Sequence, residues 1–287
     1  PYTTLFRSPK EYNGYKAYWD DGSQLVPPHD KNVIEEVKKV QVSDIKFEGV
    51  PEMITVLGTD FDKKYLDKVK TLSLSPEAIQ KEHDLKIVFT PLHGTTYELV
   101  PASLRNWGFT NIHTVPEQSI PDGDFPTVAS ANPEEPAAFK MALDLARKID
   151  ADLAMACDPD GDRIGIAVKN DAGEWTLLNG NQTNIIFTEY IIRRKKELNQ
   201  LKGGEYTVKT IVTTELIKDI AEKNHIICYD VYTGFKWIAD VIRKEGGEKF
   251  IGGGEESFGY MPGAFTRDKD GVSATSLMAE IAAWVKM

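Results

Sequence analysis

Cysteine, long apolar runs and basic tracts are all scarce in this sequence. Its two cysteines, Cys157 and Cys228, form no CxxC pair and no cluster with histidine, so a structural zinc site is not expected. No apolar run approaches the roughly 20 residues that span a bilayer. The net charge of −10, with no long basic tract, argues against nucleic acid as a partner. We therefore expect a cytoplasmic globular protein with neither a membrane nor a nucleic-acid partner.

The composition is that of a folded protein large enough for two domains. The chain has 287 residues, of which 41 % are hydrophobic and 27 % are charged. The acidic surplus also sets a condition on any anionic substrate. Because the overall field repels an anion, such a ligand needs cationic side chains close to its site.

Strand and helix patterns alternate along most of the chain. A short apolar strand, DLKIVFTP at 84–91, precedes a helical stretch ending near Gly108, and the buried strand ADLAMAC at 151–157 follows another helical pattern. A second series of strands and helices begins near residue 207, after a Lys/Gly-rich stretch at 197–205. This alternation predicts an α/β fold of repeated domains with mixed, mostly parallel sheets.

An acidic loop, DPDGDR at 158–163, follows the strand ADLAMAC. Proline and glycine favour a bend that draws its three carboxylates together. Two such charges about 4 Å apart repel by roughly 4 kcal/mol at an effective dielectric near 20. Arg163 can offset one of them, and a hard divalent cation such as Mg²⁺ or Ca²⁺ can offset the rest. A solvated acidic turn is the alternative, but open α/β sheets place ligands at the carboxyl ends of strands.

Other acidic and phosphate-binding motifs fit less well. An EF-hand loop starting at Asp158 would need glycine and glutamate where Arg163 and Lys169 stand. A haloacid-dehalogenase-type phosphatase, with Asp158 as nucleophile, would need Thr or Val where Asp162 stands, and it remains a weaker alternative. The chain contains no Walker A motif.

A glycine-rich stretch, GGGEES at 252–257, predicts a second ligand loop. Glycine lets the backbone approach a ligand closely, and Glu255 and Ser257 offer an acceptor and a donor to sugar hydroxyls. A simple turn with solvated glutamates is the alternative. Arg163 and Lys269 are candidate cations for a phosphosugar, although either could be a surface ion-pair partner. His93 is interpreted as a loop histidine outside the site.

In these motifs the sequence resembles the α-D-phosphohexomutases, from about residue 9 to its last residue. DPDGDR matches the metal loop of that family, and GEES at 254–257 matches its sugar-specificity loop. Three further stretches match in the same order: PKEYNGYKAY at 9–18, which follows the phosphoserine motif; TGFKWI at 233–238; and RDKDG at 267–271, which carries a substrate-binding lysine. The phosphoglucomutase/phosphopentomutase branch is favoured.

The resemblance implies an isomerase that interconverts hexose 1-phosphate and hexose 6-phosphate, with glucose as the favoured hexose. A phosphoserine and glucose 1,6-bisphosphate, which is both activator and intermediate, would carry the phosphoryl group. Mg²⁺ would be held by Asp158, Asp160 and Asp162, and Lys16 would be the general acid/base. The implied contacts to the phosphosugar, the expected small-molecule partner, are Arg163, Thr233, Gly234, Glu255, Ser257 and Lys269.

The family's phosphoserine is missing at its expected place. Its motif Thr-Ala-Ser-His-Asn-Pro aligns the serine with Phe6. Residues 1–8, PYTTLFRS, are also the translation of a sequencing-adapter sequence, so we expect them to be non-native. We further expect a chain truncated at both ends and inactive by itself, since its motif and a fourth domain are missing. A non-catalytic protein that binds phosphosugar and Mg²⁺ is the alternative.

The same alignment divides the chain into four parts. Residues 9–83 correspond to the end of domain 1 with its connector, 84–199 to a metal-binding domain 2, and 200–287 to a truncated sugar-binding domain 3. Residues 1–8 precede them.

Overall fold

The computed structural model of the chain describes residues 16–287. Its α-helices are α1 (His29–Val37), α2 (Thr59–Lys70), α3 (Pro76–Lys81), α4 (Thr96–Trp107), α5 (Lys140–Ile149), α6 (Gly180–Glu197), α7 (Leu216–Lys223), α8 (Phe235–Glu245) and α9 (Gly271–Lys286). Its strands are β1 (Ile87–Thr90), β2 (Ile112–Thr114), β3 (Leu153–Cys157), β4 (Ile164–Lys169), β5 (Trp175–Leu178), β6 (Tyr206–Thr210), β7 (Ile227–Val231), β8 (Phe250–Gly254) and β9 (Tyr260–Met261). The expectations about residues 1–8 and Phe6 lie outside the described residues.

The first sheet has the strand order β2-β1-β3-β4-β5. Strand β1 is parallel to β2 and β3, whereas β4 is antiparallel to β3 and β5. Successive side chains of β1 point to opposite faces. Phe89 therefore packs with α4 and α9, and Val88 packs with α5. Because helices cover both faces, β1 and β3 are buried along their whole length, which explains their unbroken apolar sequences.

The second sheet has the order β7-β6-β8-β9, with β6 parallel to both β7 and β8. Helix α8 covers one face through Ile238 and Ile242, which pack against Tyr206 and Val208. Helix α6 packs against β8 and α7, so it lies with the second sheet. The α/β fold with mixed, mostly parallel sheets is confirmed.

The sequence patterns predict no helix at α6. Its residues lie in the range 84–199, which is expected to form the metal-binding domain 2. Its start has a local signal, because Asn179 and Gln182 form a reciprocal capping box. Its buried surface includes the polar residues Thr183, Asn184 and Thr188, so apolar residues do not recur at the regular spacing that predicts an amphipathic helix. The boundary between 199 and 200 stays a prediction.

Helix α9 ties the two sheets together. It follows β9 of the second sheet, but Ala274, Leu277 and Ile281 lie in the core that covers the first sheet. Small residues allow α4 and α9 to approach closely, and Ser103 Oγ lies 2.7 Å from Ser276 Oγ. The start of α9 is consequently held at the edge where β3 ends.

Helix α1 and the segment before it contact helix α8 of the second unit. Lys236 Nζ of α8 lies 3.5 Å from Asp30 Oδ2, and the Arg243 guanidinium lies 5.9 Å from the Trp19 ring centroid. Residues 66–83, in the range expected to hold the end of domain 1 and its connector, contain the end of α2 and all of α3; α2 packs against α4, and α3 packs against α9.

Among the described residues, no helix is both long and apolar enough to cross a bilayer. The cytoplasmic location stays a prediction.

A buried carboxylate fastens α9 to the segment between α2 and α3. Glu280 of α9 is fully buried and accepts hydrogen bonds from Leu74 N–H and Tyr190 Oη–H, both at 2.8 Å, and from the Ser73 hydroxyl. Burial raises the pKa of Glu280 because removal from water disfavours the ionised form. This single side chain therefore satisfies three donors from two segments, the α2–α3 connection and α6.

Replacement of Glu280 tests this network. Glu280→Leu removes the acceptor of the Leu74 N–H and of the Ser73 hydroxyl, whereas the Tyr190 hydroxyl keeps its contact with Ser75 Oγ; it should lower the free energy of unfolding by about 2–4 kcal/mol. Glu280→Gln keeps the shape and should cost less. Because the folded-state pKa of Glu280 is raised, its ionisation removes stability as pH rises above the ordinary carboxyl range. Urea denaturation should thus show Glu280→Gln gaining on the wild type between about pH 5 and pH 8. A constant difference across that range would contradict the assignment.

Candidate functional site

The acidic loop folds back on itself at the end of β3. Oxygens of Asp158, Asp160 and Asp162 all lie within 4.8 Å of one another. Asp158 is buried, and its Oδ1 accepts the backbone N–H groups of Asp162 at 3.1 Å and Arg163 at 3.0 Å. The aspartates predicted as metal ligands are therefore brought together by the turn itself.

Two cationic side chains lie beside the three carboxylates. Arg163 Nε is 3.7 Å from Asp158 Oδ2, and Lys269 Nζ is 2.6 Å from Asp162 Oδ2. Arg163 also pairs with Glu134 at 2.5 Å. Burial opposes the charge on Lys269, but Asp268 and Asp162 outweigh it and raise its pKa, so the side chain is an ammonium.

These cations do not fully compensate the loop. Burial, and then the charges of Asp162 and Asp160, raise the pKa of Asp158 well above its ordinary value. Burial and the charge of Asp162 likewise raise the pKa of Asp160. Full ionisation of the three aspartates is therefore unfavourable without further positive charge.

Two carboxylate oxygens of the loop that accept no hydrogen bond from the described residues are suitable ligands for a hard divalent cation. Asp158 Oδ2 and Asp160 Oδ1 are buried and accept no hydrogen bond from the described residues. Buried polar atoms are nearly always paired, so such oxygens require an explanation. A cation such as Mg²⁺, which prefers carboxylate ligands, would supply the missing partner.

Close backbone approaches fix the position of the loop. A Cβ on Gly94, in the turn after β1, would lie 2.2 Å from Pro159 Cα. Thr95 N–H donates to the Pro159 carbonyl at 2.9 Å on the same side. Gly271 N–H, at the start of α9, donates to the Gly161 carbonyl at 3.0 Å. The loop is therefore clamped between the turn after β1 and the start of α9.

The second predicted loop adjoins the first. After β8, Glu255 Oε1 accepts the Gly234 N–H at 2.5 Å, and this contact ties the two predicted substrate segments together. Ile164 N–H, directly after the acidic loop, donates to the Phe258 carbonyl at 3.0 Å. Residues from both sheets thus meet at one place.

A cavity of about 410 Å³ opens at this junction. Lys16, Asp160, Asp162, Asp268 and Lys269 line it. Of the residues predicted from the sequence, it therefore contains the general acid/base candidate, two metal ligands and the substrate-binding lysine. Asp158 adjoins it through the acidic loop but does not line it.

Four other predicted substrate residues do not line this cavity. Thr233, Gly234, Glu255 and Ser257 are not among the described residues that line it. Glu255 is buried, and its contact with Gly234 gives it a role in holding the loop.

Three residues of the site have no counterpart in the sequence prediction. Asp268 lines the cavity and accepts a hydrogen bond from Tyr18 Oη at 3.3 Å. Both lie beside predicted residues, so their motifs could have suggested them. Glu134, the partner of Arg163, stands in a loop with no such signal.

His93 lies outside the cavity. It is buried, and its Nδ1 and Nε2 lie 3.0 Å from the Ile120 carbonyl and 2.8 Å from Thr127 Oγ1. The side chain therefore holds the loop that follows β2.

Comparison with known proteins identifies two matching family regions. Residues 63–173 match phosphoglucomutase/phosphomannomutase, alpha/beta/alpha domain II, and residues 179–286 match domain III of the same family. A phosphomannomutase of Mycoplasmoides pirum is 36 % identical over 282 residues, which are 97 % of this chain and 50 % of that protein. A phosphoglucomutase of Staphylococcus aureus strain MRSA252 is 36 % identical over 288 residues, covering 99 % of this chain and 51 % of that protein. The chain thus spans about half the length of the curated relatives it matches.

Solved structures share the fold. A putative phosphomannomutase from Thermus thermophilus matches with a TM-score of 0.63 and 21 % identity, over 79 % of this chain and 48 % of that one. An Aspergillus fumigatus N-acetylphosphoglucosamine mutase, solved in complex with glucose 1,6-bisphosphate, matches with a TM-score of 0.51 and 15 % identity, over 77 % of this chain and 47 % of that one.

The contact between Gly94 and Pro159 can be tested by adding one methyl group. Gly94→Ala should lower the free energy of unfolding by about 1–3 kcal/mol, because its Cβ must displace backbone of the acidic loop. Gly123→Ala is the matched control, since a Cβ at Gly123 meets no atom within 4 Å. Urea denaturation of both variants measures the difference, and equal stability would show that the loop is not clamped at Gly94.

Proposed function

The chain belongs to the phosphoglucomutase/phosphomannomutase family, and we propose on this premise that the protein is a Mg²⁺-dependent phosphohexomutase. It would interconvert hexose 1-phosphate and hexose 6-phosphate, with glucose as the hexose. One observation carries the proposal: buried oxygens of Asp158 and Asp160 that accept no hydrogen bond from the described residues lie beside a cavity lined by two lysines.

The metal would be held by Asp158, Asp160 and Asp162. When bound, Mg²⁺ supplies Lewis-acid polarisation of a phosphoryl oxygen. Residues of the chain would supply the other contributions to catalysis. Phosphoryl transfer depends chiefly on positioning and on stabilising charge, and the ammonium and guanidinium groups of Lys269 and Arg163 provide positive charge in an acidic protein.

Lys16 is the proposed general acid/base. It lines the same cavity as Asp160 and Asp162, where it could accept the proton of a sugar or serine hydroxyl. Glu255 and Ser257 would recognise sugar hydroxyls from the loop after β8, and Thr233 and Gly234 would support that loop. The Aspergillus relative binds glucose 1,6-bisphosphate, and we propose the same bisphosphate as the intermediate here.

We propose that the 287-residue chain by itself does not catalyse the mutase reaction. Phe6 stands where the family has its phosphoserine, so no hydroxyl is available there to accept the phosphoryl group. The chain would then bind metal and phosphosugar without catalysis. The phosphatase alternative is less favoured, because the side chain of Asp158 is buried and is held by backbone N–H groups.

The metal site is tested by Asp160→Asn. This change removes one anionic ligand and should weaken Mg²⁺ binding about tenfold or more in isothermal titration calorimetry. Without Mg²⁺ the variant should be at least as stable as the wild type, because one repulsive charge is lost. Added Mg²⁺ should then raise the melting temperature of the wild type more than that of the variant. Asp144→Asn, on the exposed surface of α5, serves as the charge-matched control. Equal Mg²⁺ affinity in wild type and Asp160→Asn would contradict the site.

The phosphoryl-transfer proposal is tested by restoring the family motif. The triple change Phe6→Ser, Arg7→His and Ser8→Asn provides a hydroxyl at position 6. Incubation with glucose 1,6-bisphosphate and Mg²⁺ should transfer one phosphoryl group to that oxygen and release a hexose monophosphate. The hydroxyl proton passes to a base, for which Lys16 is the candidate.

Peptide mass spectrometry would locate the added group. Wild-type protein, and the triple variant carrying Asp160→Asn, should remain unmodified. An unmodified triple variant that still binds Mg²⁺ would contradict the transfer. Turnover of glucose 1-phosphate by the wild-type chain would contradict the proposed inactivity.

A further inference from the structure

Lys269 has two carboxylates within reach at the cavity wall. Its Nζ lies 2.6 Å from Asp162 Oδ2 and 3.6 Å from Asp268 Oδ1, and its side chain is 12 % exposed. The aliphatic stem is confined, because a Cβ on Gly259 would lie 2.7 Å from Lys269 Cδ. The ammonium lies 5.5 Å from the centre of the Phe235 ring. The stem is therefore held in place, and the two carboxylates flank the terminal ammonium.

Lys269 and a divalent cation would share one acceptor in the acidic loop. The cation requires an oxygen of Asp162, whose Oδ2 already lies 2.6 Å from Lys269 Nζ. Arg163 Nε, 3.7 Å from Asp158 Oδ2, is a further positive charge beside the same carboxylates. Like charges at such short range repel, and partial burial weakens the screening by water.

We propose that Lys269 and a divalent cation compete for Asp162, so that cation binding moves the ammonium toward Asp268 and the cavity. The inference rests on the proposed function, because it takes Asp158, Asp160 and Asp162 as the metal ligands. Lys269 is then a built-in counter-ion of the acidic loop, and the metal makes it available to the phosphate group of a sugar.

Thermodynamic linkage gives the exchange a direction. If the metal releases Lys269 for an anion, an anion that draws Lys269 away from Asp162 must strengthen metal binding by the same factor. Phosphosugar and metal would therefore favour one another's binding through a lysine that contacts each in turn.

Isothermal titration calorimetry with MgCl₂ tests the competition. Lys269→Met keeps most of the stem that packs against Gly259 and Phe235 but removes the charge. Its Mg²⁺ dissociation constant should fall about five- to tenfold, at the lower end of coupling factors between sites. Lys269→Arg retains the charge and should remain near the wild type. Lys169→Met removes a more exposed ion pair, with Asp150, at the opposite end of β4 and should leave the affinity unchanged.

The outcomes separate this inference from the proposed metal site. Mg²⁺ binding by wild type with equal or weaker binding by Lys269→Met overturns the competition and leaves the metal site standing. No Mg²⁺ binding by either protein overturns both. Binding by Lys269→Met alone supports both, with a competition strong enough to hide the wild-type site.

The reactivity of the lysine gives a readout independent of affinity. Mg²⁺ should increase acylation of Lys269 by an N-hydroxysuccinimide ester several-fold, measured by peptide mass spectrometry relative to Lys169. The increase should disappear in Asp160→Asn at the same Mg²⁺ concentration. Unchanged or slower acylation of Lys269 in the wild type on adding Mg²⁺ would show that the ammonium stays on Asp162.

Discussion

The mutual repulsion of three aspartates in one short, largely buried loop is the constraint on which the site depends. A carboxylate taken out of water needs hydrogen bonds or positive charge. Asp158 receives two backbone N–H groups, which the turn DPDGDR itself provides. Part of the remaining demand is met from outside the loop, by Lys269 on Asp162, while Arg163 within the motif approaches Asp158. The acidic loop therefore needs a cationic side chain from the part of the chain that follows the second sheet, and that side chain is Lys269.

The fold meets this demand through the position of α9. The helix follows the second sheet in the chain, yet its apolar side chains belong to the core of the first. Its first residue, Gly271, touches the acidic loop directly, and Lys269 stands two positions earlier. Buried Glu280 secures the same helix farther along. Packing of α9 thus places Lys269, which is distant from the acidic loop in the sequence, beside the loop as its counter-ion.

Local features of the site could be predicted from the sequence, whereas its long-range pairings could not. The apolar runs of β1 and β3 and the spacing of Asp158, Asp160 and Asp162 depend only on neighbouring residues. Residue chemistry alone still left a solvated turn open, and resemblance to a family favoured a metal loop. Glu134 meets Arg163 only through tertiary packing, so nothing local marks it. Helix α6 was missed because polar residues line its buried surface, which hides the period that identifies amphipathic helices.

The chain is acidic, and the cations of the candidate site are already paired with carboxylates. Arg163 lies between Glu134 and Asp158, and Lys269 lies between Asp162 and Asp268. A free anion approaching this surface therefore meets repulsion at long range and finds its local cations engaged. Anion binding would require an exchange of partners, and in the proposed competition a divalent cation on the aspartates favours that exchange. Metal and phosphate would then each strengthen the binding of the other, so the site would bind best when both are present.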